Sequence, residues 1–75
     1  MSKVTKVHVE FDSTVIKAIS YDLTESTLLV LFQNNGLYTY HEVPVHVFEA
    51  FRTTDSAGRF LVQQIKPFYK FTKEN

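Results

Sequence analysis

The chain has 75 residues, equal numbers of basic and acidic side chains, and no cysteine. This length fits a single domain, and the missing cysteines exclude disulfides and thiolate metal sites. A neutral chain is not expected to bind DNA tightly and non-specifically, and neither a membrane-spanning apolar run nor a signal peptide is evident, so we expect a soluble cytoplasmic protein.

The first half of the sequence has the patterns of β-strands. Residues 1–12 alternate weakly and are expected to form an N-terminal arm or an edge strand. Three strands of an antiparallel meander are then predicted, over residues 13–22, 27–33 and 37–42. The middle strand is almost wholly apolar, which favours a central position, and Asn34-Asn35-Gly36 suits a tight hairpin turn.

The second half has helical spacing. One helix is predicted from Pro44 to about Thr53, and a second from Ala57 to about Lys66, where Pro67 interrupts it. The apolar stripes expected on the two helices consist of Val45, Phe48 and Phe51 (with Val47 as a further member) and of Phe60, Leu61 and Ile65. Residues 68–71 fit a short strand or an extended tail. The predicted fold class is α+β: a three-stranded antiparallel meander, with a possible extra N-terminal edge strand, and two C-terminal helices packed on one face.

The segment around Tyr38 and Tyr40 is the first candidate site. These two tyrosines are two residues apart on a strand, so their rings point the same way, and Val43-Pro44 then begins a helix. The rings can stack bases, as aromatic side chains on sheets do in single-stranded RNA recognition. The alternative is that the helices cover this face and both rings belong to the core, which a small domain needs for stability.

A second candidate lies at the start of the second helix. Ser56, Gly58 and Arg59 can form an anion cradle at a helix N-terminus, and the spacing of Arg59, Gln63 and Lys66 predicts one basic helix face that extends it. The simpler interpretation is a serine N-cap followed by a solvated basic face.

The basic residues are concentrated near the C-terminus. Residues 1–51 carry three basic and six acidic side chains, whereas residues 52–75 carry five basic and two acidic ones. Lys66, Lys70 and Lys73 interleave with Tyr69 in the manner of nucleic-acid-binding segments. A solvated tail is the more common cause of such a pattern.

Catalytic and metal chemistry have little support in the sequence. His41 and His46 lie five residues apart across a strand-to-helix junction, which is not the spacing of a helical zinc pair, and Ser56 has no histidine or lysine nearby in sequence to act as a general base. We therefore expect no metal, no cofactor and no enzymatic activity.

The ordered motifs resemble those of the KTSC domain, a small module named after the C-terminal extension of some lysyl-tRNA synthetases. The matching segments are Ser13-Thr14-Val15-Ile16, Ile19-Ser20-Tyr21-Asp22, Leu28 to Phe32, Tyr38-Thr39-Tyr40, Val43-Pro44, Ser56 to Phe60, and Ile65-Lys66. Ser20, Thr54 and Val62 depart from the family pattern. The resemblance covers roughly residues 13 to 71, so we divide the chain into residues 1–12 and a KTSC-like domain over 13–75, and it implies RNA binding at most.

We therefore expect a small non-catalytic binding module for RNA or a phosphate-bearing nucleotide. The alternative is a protein-interaction module, such as an accessory or anti-defence protein of a phage. An edge strand within residues 1–10 also makes a homodimer possible, because exposed strand edges pair with other chains.

Overall fold

The computed structural model describes residues 5–34 and 36–74 of the chain. The strands form one five-stranded antiparallel sheet in chain order, β1-β2-β3-β4-β5. In the sequence, the helices come between β4 and β5, which are paired in the sheet. The elements are β1 Lys6–Glu10, β2 Ile16–Asp22, β3 Thr27–Phe32, β4 Leu37–Tyr40, α1 Val45–Arg52, α2 Ala57–Phe60, a π-helical turn Leu61–Ile65, and β5 Phe71–Lys73.

The predicted α+β class, the antiparallel strand arrangement and the two C-terminal helices are confirmed. The number of strands is corrected from three to five. Residues 6–10 form an edge strand on β2, whereas residues 1–4 and Asn35 of the predicted hairpin turn lie outside the described residues. The fifth strand has only three residues, and pairing with β4 determines it more than its own sequence does.

The core lies between the helices and one face of the sheet. The rings of Tyr21 on β2 and Phe48 on α1 are nearly parallel, with centroids 4.7 Å apart. Phe51 stacks between Phe11 and Phe60, at 5.6 and 5.0 Å. Val45 was expected in the buried stripe of the first helix, but its side chain is exposed, because Phe48 and Phe51 already fill the face that meets the sheet.

The junction between β4 and α1 is held by the hairpin that joins β2 and β3. Val43 donates its backbone N–H to the carbonyl of Ser26 at 2.8 Å, and its own carbonyl accepts a hydrogen bond from the Tyr21 hydroxyl. Ser26 and Glu42 both have positive φ angles, 56° and 55°, which turn the chain sharply on either side of this contact. The start of α1 is therefore fixed relative to the sheet.

The second helix changes its hydrogen bonding after one turn. Lys66 donates its N–H to the carbonyl of Leu61, five residues back, at 2.9 Å. A π-helical turn of this kind contains one more residue than an α-helical turn, so the residues that follow are displaced around the helix axis by about 100°. Pro67 then ends the helix, because its ring would clash with the carbonyl of Gln63 in a continued α-helix. In the described part of the chain, no helix is sufficiently long and apolar to cross a membrane.

Candidate functional site

The helices leave part of their own face of the sheet uncovered, and a cavity of about 730 Å³ lies there. We call it the aromatic groove. It is lined by Phe32, Asn34, Gly36, Tyr38, Tyr40, Lys66, Phe71 and Lys73. These residues come from β3, the hairpin turn, β4, the end of the second helix and β5. A cavity of this size falls within the range of small-ligand sites, about 300–1,000 Å³.

The two tyrosines of β4 occupy different depths in the aromatic groove. Their rings point to the helical side of the sheet, as the alternation predicts. Tyr40 is buried, with 1% of its surface exposed, so it forms the floor and cannot stack a base. Burial, together with the nearby phenol of Tyr38, raises the pKa of Tyr40 above the ordinary range. Tyr38 is only half-buried and forms part of the wall.

Phe71 is the most accessible aromatic ring of the aromatic groove. It is 57% exposed and lies against both tyrosines of β4, with centroid distances of 5.3 Å to Tyr38 and 5.8 Å to Tyr40. Phe32 meets the other side of Tyr38 edge-on at 5.4 Å. The rings therefore form a continuous aromatic surface along one side of the groove, with one large ring open to solvent.

Two lysines flank this surface. Lys73 lies opposite Tyr38 in the strand pairing, two residues beyond Phe71 and on the same face. Lys66 follows the π-helical turn and lines the groove from the helical side. Among the described lining residues there is no carboxylate. The groove thus combines flat apolar rings with positive charge, which suits a planar ligand that carries an anionic group.

A second cavity, of about 770 Å³, lies between the loop before β2 and the start of α2. We call it the hydroxyl groove. It is lined by Phe11, Asp12, Ser13, Thr14, Val15, Thr54, Asp55, Ser56, Ala57, Gly58, Arg59, Val62 and Gln63. The predicted site residues Ser56, Gly58, Arg59 and Gln63 all lie here.

The details of the hydroxyl groove differ from those of an anion cradle. Ser56 occupies the N-cap position but makes no capping hydrogen bond with its side chain; its backbone N–H donates to the Thr54 hydroxyl at 3.3 Å. A Cβ added to Gly58 would lie 3.3 Å from a methyl group of Val15. The absent side chain of Gly58 therefore accommodates Val15 and does not admit a ligand to the backbone.

The seven predicted site residues are divided between the two cavities. Tyr38, Tyr40 and Lys66 line the aromatic groove, whereas the other four line the hydroxyl groove. The predicted single cationic face over Arg59, Gln63 and Lys66 does not form, because the π-helical turn displaces Lys66 around the helix axis. The prediction that the anion cradle extends from Arg59 to Lys66 is therefore wrong.

Sequence reasoning missed Phe32 and Phe71 of the aromatic groove, and it named Lys73 only as part of a basic and aromatic series near the C-terminus. The alternation of aromatic and basic residues after Pro67 was a usable signal, but it was centred on Tyr69 and Lys70. Those two residues line a different surface depression, together with His41, Glu42 and Phe68. The strand pairing between β4 and β5 decides which members of the series meet Tyr38.

The fold and the groove define a small antiparallel α+β domain whose sheet is partly covered by two short helices. The sequence profile of the KTSC domain family matches residues 12–69. The chain belongs to the KTSC domain family. The resemblance seen in the motifs is confirmed at the level of the family, and its link with lysyl-tRNA synthetases remains an expectation.

Relatives of known sequence and structure agree with this assignment. A protein of Tsukamurella paurometabola is 36% identical over 59 residues, which span 79% of this chain and 88% of that protein. An uncharacterized protein of Stutzerimonas stutzeri is also 36% identical over 59 residues, 79% of this chain and 83% of that protein. The crystal structure of a KTSC domain protein from Yersinia pestis superposes with a TM-score of 0.87 at 28% identity, covering 93% of this chain and 99% of that one.

Proposed function

We propose that the chain is a non-catalytic binding module that holds a segment of single-stranded RNA in the aromatic groove. The observation that carries this proposal is the exposed ring of Phe71, which lies against Tyr38 and beside Lys73. A large ring kept on the surface of a small domain is not used for the core. Its position beside a cation favours a ligand with both a flat face and a negative charge.

Stacking supports RNA as the class of ligand. The rings of Phe71 and Tyr38 offer a face for one or two bases, and stacking of a base on an aromatic ring contributes about 1–3 kcal/mol. A strand-borne pair of rings is also how several RNA-binding sheets hold unpaired bases. Tyr40 supports these rings from below and makes no contact with the ligand.

Charge supports a short contact with the backbone of the RNA. Lys66 and Lys73 stand on different sides of the aromatic groove, so two phosphates of one strand can be neutralised while a base is stacked between them. Two contacts give modest affinity, which agrees with the overall neutrality of the chain.

The proposal is tested by fluorescence anisotropy with a labelled single-stranded oligoribonucleotide. Phe71→Ala should weaken binding about tenfold, because a stacked base is lost. The matched control is Phe68→Ala, since Phe68 is also exposed, at 68%, but lies outside the aromatic groove. Absence of binding by the wild type, or equal losses in the two variants, would contradict the proposal.

A further inference from the structure

We infer that two copies of this chain associate through their β1 strands, antiparallel to each other, to form one continuous ten-stranded sheet. This interface goes beyond the proposed binding function, because no residue of β1 lines the aromatic groove. The inference rests on three features of Lys6–Glu10: the backbone groups that point away from β2, the order of the charged side chains along the strand, and the apolar face.

The outer edge of β1 presents backbone groups with no partner among the described residues. Phe11 donates its N–H to the carbonyl of Lys17 at 3.0 Å, and the carbonyl of Thr5 accepts from Leu23, which shows that the odd-numbered residues bond to β2. Because backbone direction alternates along a strand, the N–H and C=O groups of Lys6, His8 and Glu10 point outward. Three consecutive outward pairs are a template for another strand.

The side chains of β1 select one register. When two β1 strands run antiparallel with His8 opposite His8, Lys6 of each copy lies opposite Glu10 of the other. In this register all the outward backbone groups form hydrogen-bonded pairs, and two opposite-charge pairs flank the centre. A shift by two residues in either direction removes both Lys6–Glu10 pairs, and where it places Lys6 opposite Asp12 instead, that residue lies beyond the end of β1. The strand is therefore complementary to a second copy of itself in side-chain charge as well as in backbone hydrogen bonding.

The helical side of the same strand agrees with this register. Val7 and Val9 are half-buried and pack against the core of their own chain. In the antiparallel pair, Val7 of each copy lies opposite Val9 of the other, so the apolar layer under the helices continues across the two-fold axis. A close apolar contact forms there, because these are the non-hydrogen-bonded positions, where side chains approach most closely.

The other sheet edge lacks this self-complementarity. β5 has three residues, and the bonds from His41 to Lys70 and from Glu74 to Leu37 show that its outward groups belong to Phe71 and Lys73. Self-pairing would oppose a lysine to a phenylalanine, with no charge pair, and would obstruct the aromatic groove. Five-residue edges bury less than a standard interface of about 1,600 Å², so we expect a reversible dimer.

The experiment is sedimentation velocity of the full chain over a concentration series in low salt. The wild type should shift from monomer to dimer as concentration rises. Lys6→Glu and Glu10→Lys, tested separately, should each weaken dimerisation about tenfold, because two attractive pairs per dimer become repulsive. The double variant Lys6→Glu/Glu10→Lys should restore it. Far-UV circular dichroism checks that each variant is folded.

Mixing the two single variants provides an independent test of the charge pairs. Each variant alone has like charges in both pairs, whereas the mixed dimer has opposite charges in both, so a heterodimer should form in the mixture. A wild type that is monomeric at every concentration would overturn the inference. Unchanged dimerisation of the single variants, or a mixture that stays as monomers while the wild type dimerises, would also overturn it.

Discussion

The hydroxyl of Tyr21, in the second strand, donates a hydrogen bond to the backbone carbonyl of Val43, just before the first helix. Both groups are buried, and the ring of Tyr21 stacks on Phe48 of that helix. One side chain thus connects the centre of the sheet, the strand-to-helix junction and the helix.

Replacing Tyr21 with phenylalanine should lower the free energy of unfolding by about 1–3 kcal/mol, because the buried Val43 carbonyl loses its donor while the ring contact remains. Urea unfolding followed by circular dichroism measures this, with an unchanged slope against denaturant as the check on two-state behaviour. Tyr69→Phe, at a half-buried site near the surface, is the matched control and should have little effect. Equal stability of Tyr21→Phe and the wild type would contradict this account of the junction.

Gly58 lies within a helix, where alanine is intrinsically more favourable by about 1 kcal/mol. The methyl group that alanine would add at position 58 would crowd Val15, which is 47% exposed in a loop and has room to move. We expect Gly58→Ala to be close to neutral in the wild type, and to stabilise by about 0.5–1 kcal/mol when Val15→Ala is already present. Thermal unfolding of the four combinations measures the coupling. A strictly additive cycle would show that Val15 does not limit this position.

The raised pKa of Tyr40 predicts how the free energy of unfolding changes at alkaline pH. A phenol whose pKa is higher in the folded state than in the unfolded state keeps its proton longer when folded. Stability is therefore fully present below the ordinary phenol pKa of about 10 and is lost as the pH rises through the folded value. Tyr40→Phe should show a smaller loss than the wild type in urea titrations on either side of that pH. An identical loss would mean that Tyr40 does not ionise in this range.

The aromatic groove makes a prediction about salt. If Lys66 and Lys73 each neutralise one phosphate of single-stranded RNA, then Lys66→Gln or Lys73→Gln should reduce the slope of log affinity against log salt by about 0.7. Arg59→Gln, in the hydroxyl groove, should leave the slope unchanged. Equal effects of Arg59→Gln and Lys73→Gln would show that RNA binds through the overall charge of the C-terminal region and not in a defined groove.

Much of the fold follows from local sequence signals. The apolar run of β3 predicts its central place in the sheet, the alternation around Tyr38 and Tyr40 predicts the face to which both rings point, and Pro44 marks the start of the first helix. Each of these depends on periodicity or on the geometry of proline. Such signals are contained in a few consecutive residues.

The features that sequence reasoning missed depend on contacts between distant segments. The π-helical turn adds one residue to a helix without a distinctive composition, and it separates Lys66 from Arg59. The strand Phe71–Lys73 is too short to be recognised alone and exists through pairing with β4. The aromatic groove results from both features, so its residues could be listed only in part before the strand pairing was known.

The central claim is tested most directly by ¹⁵N–¹H NMR titration of the folded chain with an unlabelled single-stranded oligoribonucleotide. The amide signals of Tyr38, Phe71 and Lys73 should shift first, together with that of Lys66 across the aromatic groove, and Phe71→Ala should greatly reduce these shifts. Shifts concentrated at Ser56 to Arg59, or no shifts at any amide, would contradict the assignment of the binding surface to this groove.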